Sequence, residues 1–126
     1  MSQRKLFLKF AVVALIGAMA MASLAGARAD RAATVVTING DNGDFHGRIT
    51  SPRNRCLGHR TVKVFKQKGD RQNPRRDDVI GKDISERHND AGLWSLGNTG
   101  FKHGDFYAKV KRNDLCKLDY SKTISL

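Results

Sequence analysis

The sequence predicts an all-β protein, a single antiparallel β-sandwich of about seven short strands that follows an N-terminal signal helix. Three observations support this prediction. Several short segments alternate apolar and polar residues with the two-residue period of a strand, and Gly, Asn and Asp cluster between them. No segment after residue 29 keeps a helical period. About seven short strands with turn residues between them are typical of a two-sheet sandwich.

The N-terminal segment has the composition of a secretion signal. Arg4, Lys5 and Lys9 form a positive start, and residues 10–24 are almost wholly apolar. Ala27-Arg28-Ala29 then supplies the small residues that a signal peptidase requires. The apolar run is close to the lower length limit for a membrane span.

We therefore predict a signal peptide over residues 1–29 and one folded domain over residues 30–126. Cleavage after residue 27 competes with cleavage after residue 29, and an uncleaved membrane anchor is the alternative to both. The predicted location is secreted, periplasmic or at the cell envelope. Contact with a membrane is expected only through the signal segment before cleavage.

The predicted mature domain is basic. The whole chain carries 23 Lys and Arg and 12 Asp and Glu, a net charge of +11. Residues 1–29 hold four of the basic residues and none of the acidic ones, so residues 30–126 keep 19 basic and 12 acidic residues, a net charge of +7. Such a balance favours solubility and attraction to polyanions, and it says little about fold.

The two cysteines of the chain, Cys56 and Cys116, predict one disulfide. An even pair in an exported protein is most simply a bridge. The closed loop would stabilise the domain by roughly 4 kcal/mol in the chain-entropy model. Two cysteines without paired C-x-x-C spacing are too few ligands for a metal site.

The predicted strands follow one another between turn residues. They lie at residues 34–38, 45–51, 60–66, 106–112 and 122–126, with two more in the segment 79–96 on either side of a polar turn at 89–92. The two-residue period places these side chains in the core: Phe45, Ile49, Val62, Val64, Ile80, Ile84, Trp94, Leu96, Phe106, Ala108, Val110, Ile124 and Leu126. Residues 67–77 contain no apolar side chain and are predicted to form an exposed loop.

The segments V-x-V-F, V-I-G-K-D-x-S, D-A-G-x-W-S-L, G-D-F-Y-A-K-V, C and S-K-T-I-x-L occur in this order. This order resembles the carboxypeptidase regulatory-like, or transthyretin-like, β-sandwich domains, and most closely the small secreted actinobacterial proteins of that type. The resemblance covers nearly the whole predicted mature domain. It implies an Ig-like (transthyretin-like, prealbumin-like) sandwich and a non-catalytic module for adhesion, accessory binding or stability. The turn reads N-D-A-G where two acids commonly flank the glycine, which argues against a calcium role.

No residue pattern indicates a catalytic, metal or cofactor site. The four histidines, His46, His59, His88 and His103, are far apart and form no H-x-H or H-E-x-x-H motif. The sequence has no G-x-S-x-G elbow and no convincing pair of acids for hydrolysis. We therefore expect no catalytic residue, no metal and no cofactor, and a protein that is not an enzyme.

Basic residues carry the most suggestive pattern. If the loop 67–77 and the outward face of the strand 106–112 adjoin, they would form a cationic patch, with Tyr107 as its one outward aromatic. The candidate anion-binding residues are Lys66, Lys68, Arg71, Arg75, Arg76, Lys109 and Lys111. The alternative is that these charges keep a small sandwich soluble and protect its edge strands.

Two functions follow from these observations as expectations. The first is a non-catalytic, monomeric module with a structural or interaction role at the cell envelope or outside the cell. The second is a binding module for an anionic polymer or a carbohydrate through the basic loop. The expected partners are an envelope polyanion, a carbohydrate or another envelope protein. No nucleic acid is expected, because the protein is exported and nucleic-acid surfaces usually interleave several aromatic side chains.

Overall fold

A computed structural model describes residues 30–126, so the predicted signal peptide lies outside the described residues. Within 30–126 the chain is all-β, with ten strands in two antiparallel sheets and a single turn of 3₁₀ helix at Asn54–Cys56. No helix in this range is long and apolar enough to cross a membrane.

Ten strands are present where about seven are expected. They are β1 (Val35–Val36), β2 (Asn39–Asp41), β3 (Asp44–Thr50), β4 (Thr61–Lys66), β5 (Asp78–Ile84), β6 (Glu86–His88), β7 (Ala91–Asn98), β8 (Asp105–Val110), β9 (Asp119–Tyr120) and β10 (Ile124–Ser125). Part of the excess comes from residues 39–44, where the clustered Asn, Gly and Asp residues predict only a turn. β2 and β3 form a hairpin there, and Asn42 and Gly43 make its tight turn with φ of 50° and 91°.

The two sheets share one continuous stretch of chain. The first sheet has the order β1-β3-β7-β6, with β2 also paired to β3, and the second has the order β10-β8-β4-β5, with β9 also paired to β8. Only Ser85 separates β5 from β6, so the chain passes from the second sheet to the first at this residue. The buried Ser85 hydroxyl donates to the Leu57 carbonyl at 2.7 Å and accepts from Arg60 N at 3.1 Å.

The core lies between the two sheets, as the alternating pattern predicts. Strand β3 alternates exposed and buried residues along its whole length, and the Phe45 ring meets the Phe106 ring of the second sheet with 4.7 Å between centroids. The other predicted core residues that are buried or pack against this core are Ile49, Val62, Val64, Ile80, Trp94, Leu96, Ala108, Val110 and Ile124.

Two predicted core positions are wrong. Ile84 is 51% exposed and Leu126 is 39% exposed. Ile84 shares the outer face of the second sheet with Thr61 opposite it on β4, because a bulge shifts the register of β4 and β5 between Val64 and Phe65. A one-residue shift moves a side chain to the other face of a sheet, which is why the period counted from Ile80 fails here.

Gly47 permits the close packing of the single tryptophan on β3. A Cβ at this position would lie 1.9 Å from the Thr37 carbonyl oxygen and 2.7 Å from the indole of Trp94, which is its partner on β7. Only a residue without a side chain fits such an approach.

Candidate anion-binding face

Strand pairing brings three lysines into one row on the outer face of the second sheet. Lys63 on β4 lies directly opposite Lys82 on β5 and directly opposite Lys109 on β8. Opposite residues of neighbouring strands have Cβ atoms about 5 Å apart on the same face. Lys111 follows β8 on the same face, where its N–H donates to the Thr61 carbonyl at 2.9 Å. We call these four lysines and Thr61 the lysine face.

A shallow recess of about 370 Å³ opens within the lysine face. Its lining includes Thr61, Lys63, Lys82 and Lys111, together with Ile84 and Asp83. The carboxylate of Asp83 accepts the N–H of Ser95 from the first sheet at 2.9 Å. The recess therefore combines three ammonium groups with one hydroxyl, one carboxylate and one apolar wall.

The positions of these lysines do not fit a purely protective role. Lysines often blunt the exposed edge of a sheet, and Lys82 on the edge strand β5 could do so. Lys63, however, lies on β4 between β5 and β8, and Lys109 lies on β8 between Lys63 of β4 and Tyr120 of β9. Like charges directly opposite each other destabilise a sheet. A row of opposed like charges within a sheet is therefore a candidate functional surface.

The basic loop 67–77 folds over the same outer face and is held there by a buried carboxylate. Asp77 accepts hydrogen bonds from Lys68 N at 2.9 Å, from Asn73 N at 2.7 Å and from the Tyr107 hydroxyl at 2.6 Å. Tyr107 is fully buried and stacks on Phe65, with 5.1 Å between ring centroids. The prediction that Tyr107 is an outward, accessible aromatic is therefore wrong.

The structure separates the predicted anion-binding residues into three groups. Lys109 and Lys111 belong to the lysine face, and the Lys109 ammonium lies 5.5 Å from the centre of the Tyr120 ring. Lys66, at the end of β4, instead lies 5.6 Å from the ring centre of Phe101.

The remaining candidates lie on the loop. Lys68 pairs with Asp78 at 3.4 Å, and both side chains are more than half exposed, so this ion pair contributes little to stability. Arg71, Arg75 and Arg76 are exposed. The loop thus places three further positive charges beside the outer face of the second sheet.

Hydrogen bonding controls the protonation of Asp77. Burial alone raises the pKa of this carboxyl group, but the hydrogen bonds from Tyr107, Asn73 and Lys68, with the positive charge of Lys68, favour the ionised form and leave its pKa below the ordinary value. Burial and the hydrogen bond to the charged Asp77 raise the pKa of Tyr107. Asp77 is therefore ionised and Tyr107 neutral around pH 7.

Replacing Asp77 by asparagine is expected to lower the free energy of unfolding by about 2 kcal/mol at pH 7, because an amide cannot accept all three hydrogen bonds. Because the pKa of Asp77 is lower in the folded state, its ionised form stabilises the fold above the unfolded-state pKa of about 4. This contribution to the free energy of unfolding is lost as pH falls through the folded-state pKa. The gap between the wild type and Asp77→Asn should accordingly narrow below about pH 4. Urea unfolding of both proteins at several pH values measures this difference in the free energy of unfolding. Asp78→Asn, at the exposed neighbouring position, is the matched control, and an equal loss in the control would contradict the assigned role.

The disulfide and a buried arginine form the structural centre of the opposite end of β4. Cys56 and Cys116 are bonded, with 5.6 Å between their Cα atoms. A disulfide is typical of a protein outside the cytoplasm. Arg60 is only 1% exposed and donates to the Cys56, Lys111 and Lys117 carbonyls and to the Thr34 hydroxyl, at 2.8–3.1 Å. Burial lowers the pKa of its guanidinium, which nevertheless stays charged.

A larger concavity, of about 670 Å³, is lined mainly by outward residues of the first sheet and includes His46, Arg48, Glu86, His88 and Leu93. Within residues 30–126, no three His, Cys, Asp or Glu side chains lie close enough together to hold a metal ion.

Three important residues escape the sequence reasoning. Lys82 lies in a segment predicted only as a strand, and its approach to Lys63 depends on a pairing between strands. Asp77 and Arg60 read as ordinary polar residues at the ends of a loop and a strand. The one usable signal is that Asp77 closes an eleven-residue segment without apolar side chains, which needs some internal partner for its backbone.

Comparison with known proteins assigns no family to this chain. No family model matches the chain, and no curated protein matches it. Among solved structures the chain is similar to a crystal structure of superoxide reductase in the oxidized state, with 12% sequence identity over 79% of this chain and 90% of that chain and a TM-score of 0.37.

This similarity contradicts one prediction from the sequence. The matched protein is an enzyme by its name, so the expectation that the present chain is not an enzyme is corrected and is not carried further. The identity and the TM-score are too low for the match to assign a reaction, a ligand or a fold family to this chain.

Proposed function

We propose that this protein is an exported β-sandwich module that binds an anionic polymer through its lysine face, and that it has an interaction role at the cell envelope or outside the cell. The row of Lys63, Lys82 and Lys109 across three paired strands is the observation that carries the proposal. The proposed fold type is the Ig-like, transthyretin-like sandwich that the sequence resembles.

The arrangement favours a polymer over a small ligand. The row crosses three strands and so extends over about 10 Å, because neighbouring strands lie about 4.8 Å apart. It continues along the face to Lys111, and the loop that carries Arg71, Arg75 and Arg76 is anchored on the same face through Asp77. Several positive charges along one face attract a chain of negative charges more than a single one.

Electrostatic relief supplies a physical reason for binding. The opposed lysines repel one another in the free protein, and a bound polyanion replaces this repulsion by attraction. The interaction takes place on a solvated surface, so we expect it to weaken strongly with salt.

The variant Lys63→Gln/Lys82→Gln/Lys109→Gln tests the proposal on a heparin column and by titration with a soluble polyanion. Each exposed charge contributes about 0.5 kcal/mol, so the triple variant should bind about tenfold more weakly and show a shallower salt dependence. Its stability should be close to that of the wild type, because the removed repulsion offsets the lost contact between Lys109 and the Tyr120 ring.

The control variant Arg55→Gln/Lys102→Gln/Lys117→Gln removes the same charge from other exposed positions. Equal losses in the two variants would show a response to net charge alone and contradict the proposal. Arg75→Ala/Arg76→Ala should cause a smaller loss than the lysine variant. A larger loss would make the loop, and not the lysine face, the binding surface.

A further inference from the structure

The recess of the lysine face contains an acid as well as its lysines. Asp83 lines the recess, and one of its carboxylate oxygens accepts the Ser95 N–H at 2.9 Å, whereas the other has no hydrogen-bond partner within residues 30–126. An ionised carboxylate accepts hydrogen bonds and donates none, and it repels other negative groups. A ligand that offers a hydrogen-bond donor beside its negative charge therefore suits the recess better than a purely anionic one.

The recess adjoins the larger concavity of about 670 Å³. Asp83 and Ile84 line both depressions, so the two meet where β5 ends at the margin of the second sheet. The volume of the larger one lies within the range of about 300–1,000 Å³ that is typical of ligand sites. A single polymer can therefore extend from the lysine face into the concavity along one continuous surface.

The concavity carries both signs of charge. Arg48 on β3 lies opposite Leu93 on β7, and Leu93 lies opposite Glu86 on β6. The arginine and the glutamate are thus two strands apart, about 10 Å, and neither forms an ion pair within residues 30–126. Together with Asp83, the lining holds two carboxylates and one guanidinium. A chain of negative charges alone gains little by entering this part of the surface.

The rest of the lining suits hydroxylated rings. Asn39, His46 and His88 add side chains that both donate and accept hydrogen bonds. Leu93 and Ile84 are 39% and 51% exposed and offer apolar surface beside these polar groups. A sugar ring carries hydroxyl groups at its rim and C–H groups on its faces, so it can donate to the carboxylates and cover the apolar side chains. Negative groups on the same polymer would contact the lysines.

We infer that the protein binds an acidic polysaccharide, whose negative groups contact the lysine face and whose hydroxyl groups donate to Asp83 in the recess and to Glu86 in the concavity. The inference rests on the proposed function and narrows its ligand from anionic polymers in general to hydroxylated ones. An anionic polymer of equal charge without hydroxyl groups should bind more weakly.

Polygalacturonate and poly-L-glutamate separate the two properties, because both carry carboxylates and only the first carries hydroxyl groups. Chains of similar length are titrated into the protein at equal ionic strength and equal carboxylate concentration. The wild type should bind polygalacturonate at least about fivefold more tightly, which corresponds to about one net hydrogen bond.

The variant Asp83→Asn/Glu86→Gln tests the two carboxylates. The amide that replaces Asp83 still offers an oxygen to the Ser95 N–H, but neither amide is as strong an acceptor for a hydroxyl group as a carboxylate. Poly-L-glutamate should bind at least as tightly as before, because two repelling charges are removed. The ratio of the two affinities should therefore fall about threefold or more.

The control variant Asp70→Asn/Asp114→Asn removes the same charge from exposed positions. It should leave the ratio of the two affinities unchanged. An equal fall of the ratio in the control would overturn the role assigned to Asp83 and Glu86.

A second measurement locates the polymer on the unsubstituted protein. Polygalacturonate should shift the amide NMR signals of Lys63 and Lys82 and also those of Glu86 and Leu93, whereas poly-L-glutamate should shift mainly the first pair. If polygalacturonate leaves the signals of Glu86 and Leu93 in place, the concavity is not part of the binding surface and the inference is wrong.

The outcomes in the wild type separate this inference from the proposed function. Equal affinity for the two polymers, or tighter binding of poly-L-glutamate, would overturn the preference for hydroxylated chains and leave polyanion binding intact. No binding of either polymer would overturn both.

Discussion

Replacing Arg60 by methionine should lower the free energy of unfolding by about 3 kcal/mol. The substitution leaves three buried or partly buried carbonyls and the Thr34 hydroxyl without their donor. An acceptor that loses its partner in this way costs about 1 kcal/mol or more. The loss is partly offset, because a guanidinium with no carboxylate partner, and with its Nε atom unpaired within residues 30–126, no longer has to be buried.

Urea unfolding of Arg60→Met and of Arg55→Met measures this effect. Arg55 is an exposed arginine five residues earlier, so its replacement should change stability by less than about 0.5 kcal/mol. Arg60→Lys should recover only part of the loss, since one ammonium cannot reach all four acceptors. If Arg60→Met unfolds at the wild-type urea concentration, the buried hydrogen bonds do not stabilise the fold.

Removing the disulfide should have an effect of similar or larger size. The bridge joins residues 60 positions apart, and closing a loop of this length stabilises a protein by roughly 4 kcal/mol in the chain-entropy model. For a domain of this size that corresponds to a fall in Tm of roughly 15 °C or more. Cys56→Ser alone should lower the Tm as much as Cys56→Ser/Cys116→Ser does, because either change breaks the same bond.

Thermal unfolding of the oxidised protein, and of protein that has been unfolded, reduced and refolded in the presence of a reductant, checks this prediction. A Tm that does not change on reduction would contradict it. Arg60 should also interact energetically with the bridge, because it donates to the carbonyls of Cys56 and of Lys117, which follows Cys116. We therefore expect the combined variant Arg60→Met/Cys56→Ser to lose less stability than the sum of the two single variants.

The sequence predicts those parts of the fold that depend on a local period. Strand β3 is the clearest case, since Phe45 and Ile49 are buried as predicted and the alternate residues His46 and Arg48 are exposed. The alternation is unbroken along β3, and each face of the strand has a single environment, which is the core on one side and solvent on the other. The same reasoning fails at Ile84, where a bulge resets the pleat and where no residue in the segment announces the bulge.

The candidate site depends mostly on contacts that are distant in sequence. Lys109 and Lys111 are predicted as candidates because they alternate with buried residues of β8. Their association with Lys82 requires the register of β5, β4 and β8, which many residues determine together. Asp77 is unpredictable for the same reason, since its partner Tyr107 lies 30 residues away. A sequence predicts which residues face outward more readily than it predicts which of these outward residues lie close together.

Trp94 makes the core of this protein visible to spectroscopy. It is the single tryptophan of the chain, it is 2% exposed, and its indole Nε1 has no hydrogen-bond partner within the described residues. An indole without water or an acceptor fluoresces at a short wavelength and shifts to a longer one when water reaches it. Because this one fluorophore lies between the sheets, its emission would report their separation, whereas far-ultraviolet circular dichroism would report the strands themselves. The two signals together would distinguish a loosened sandwich from an unfolded chain.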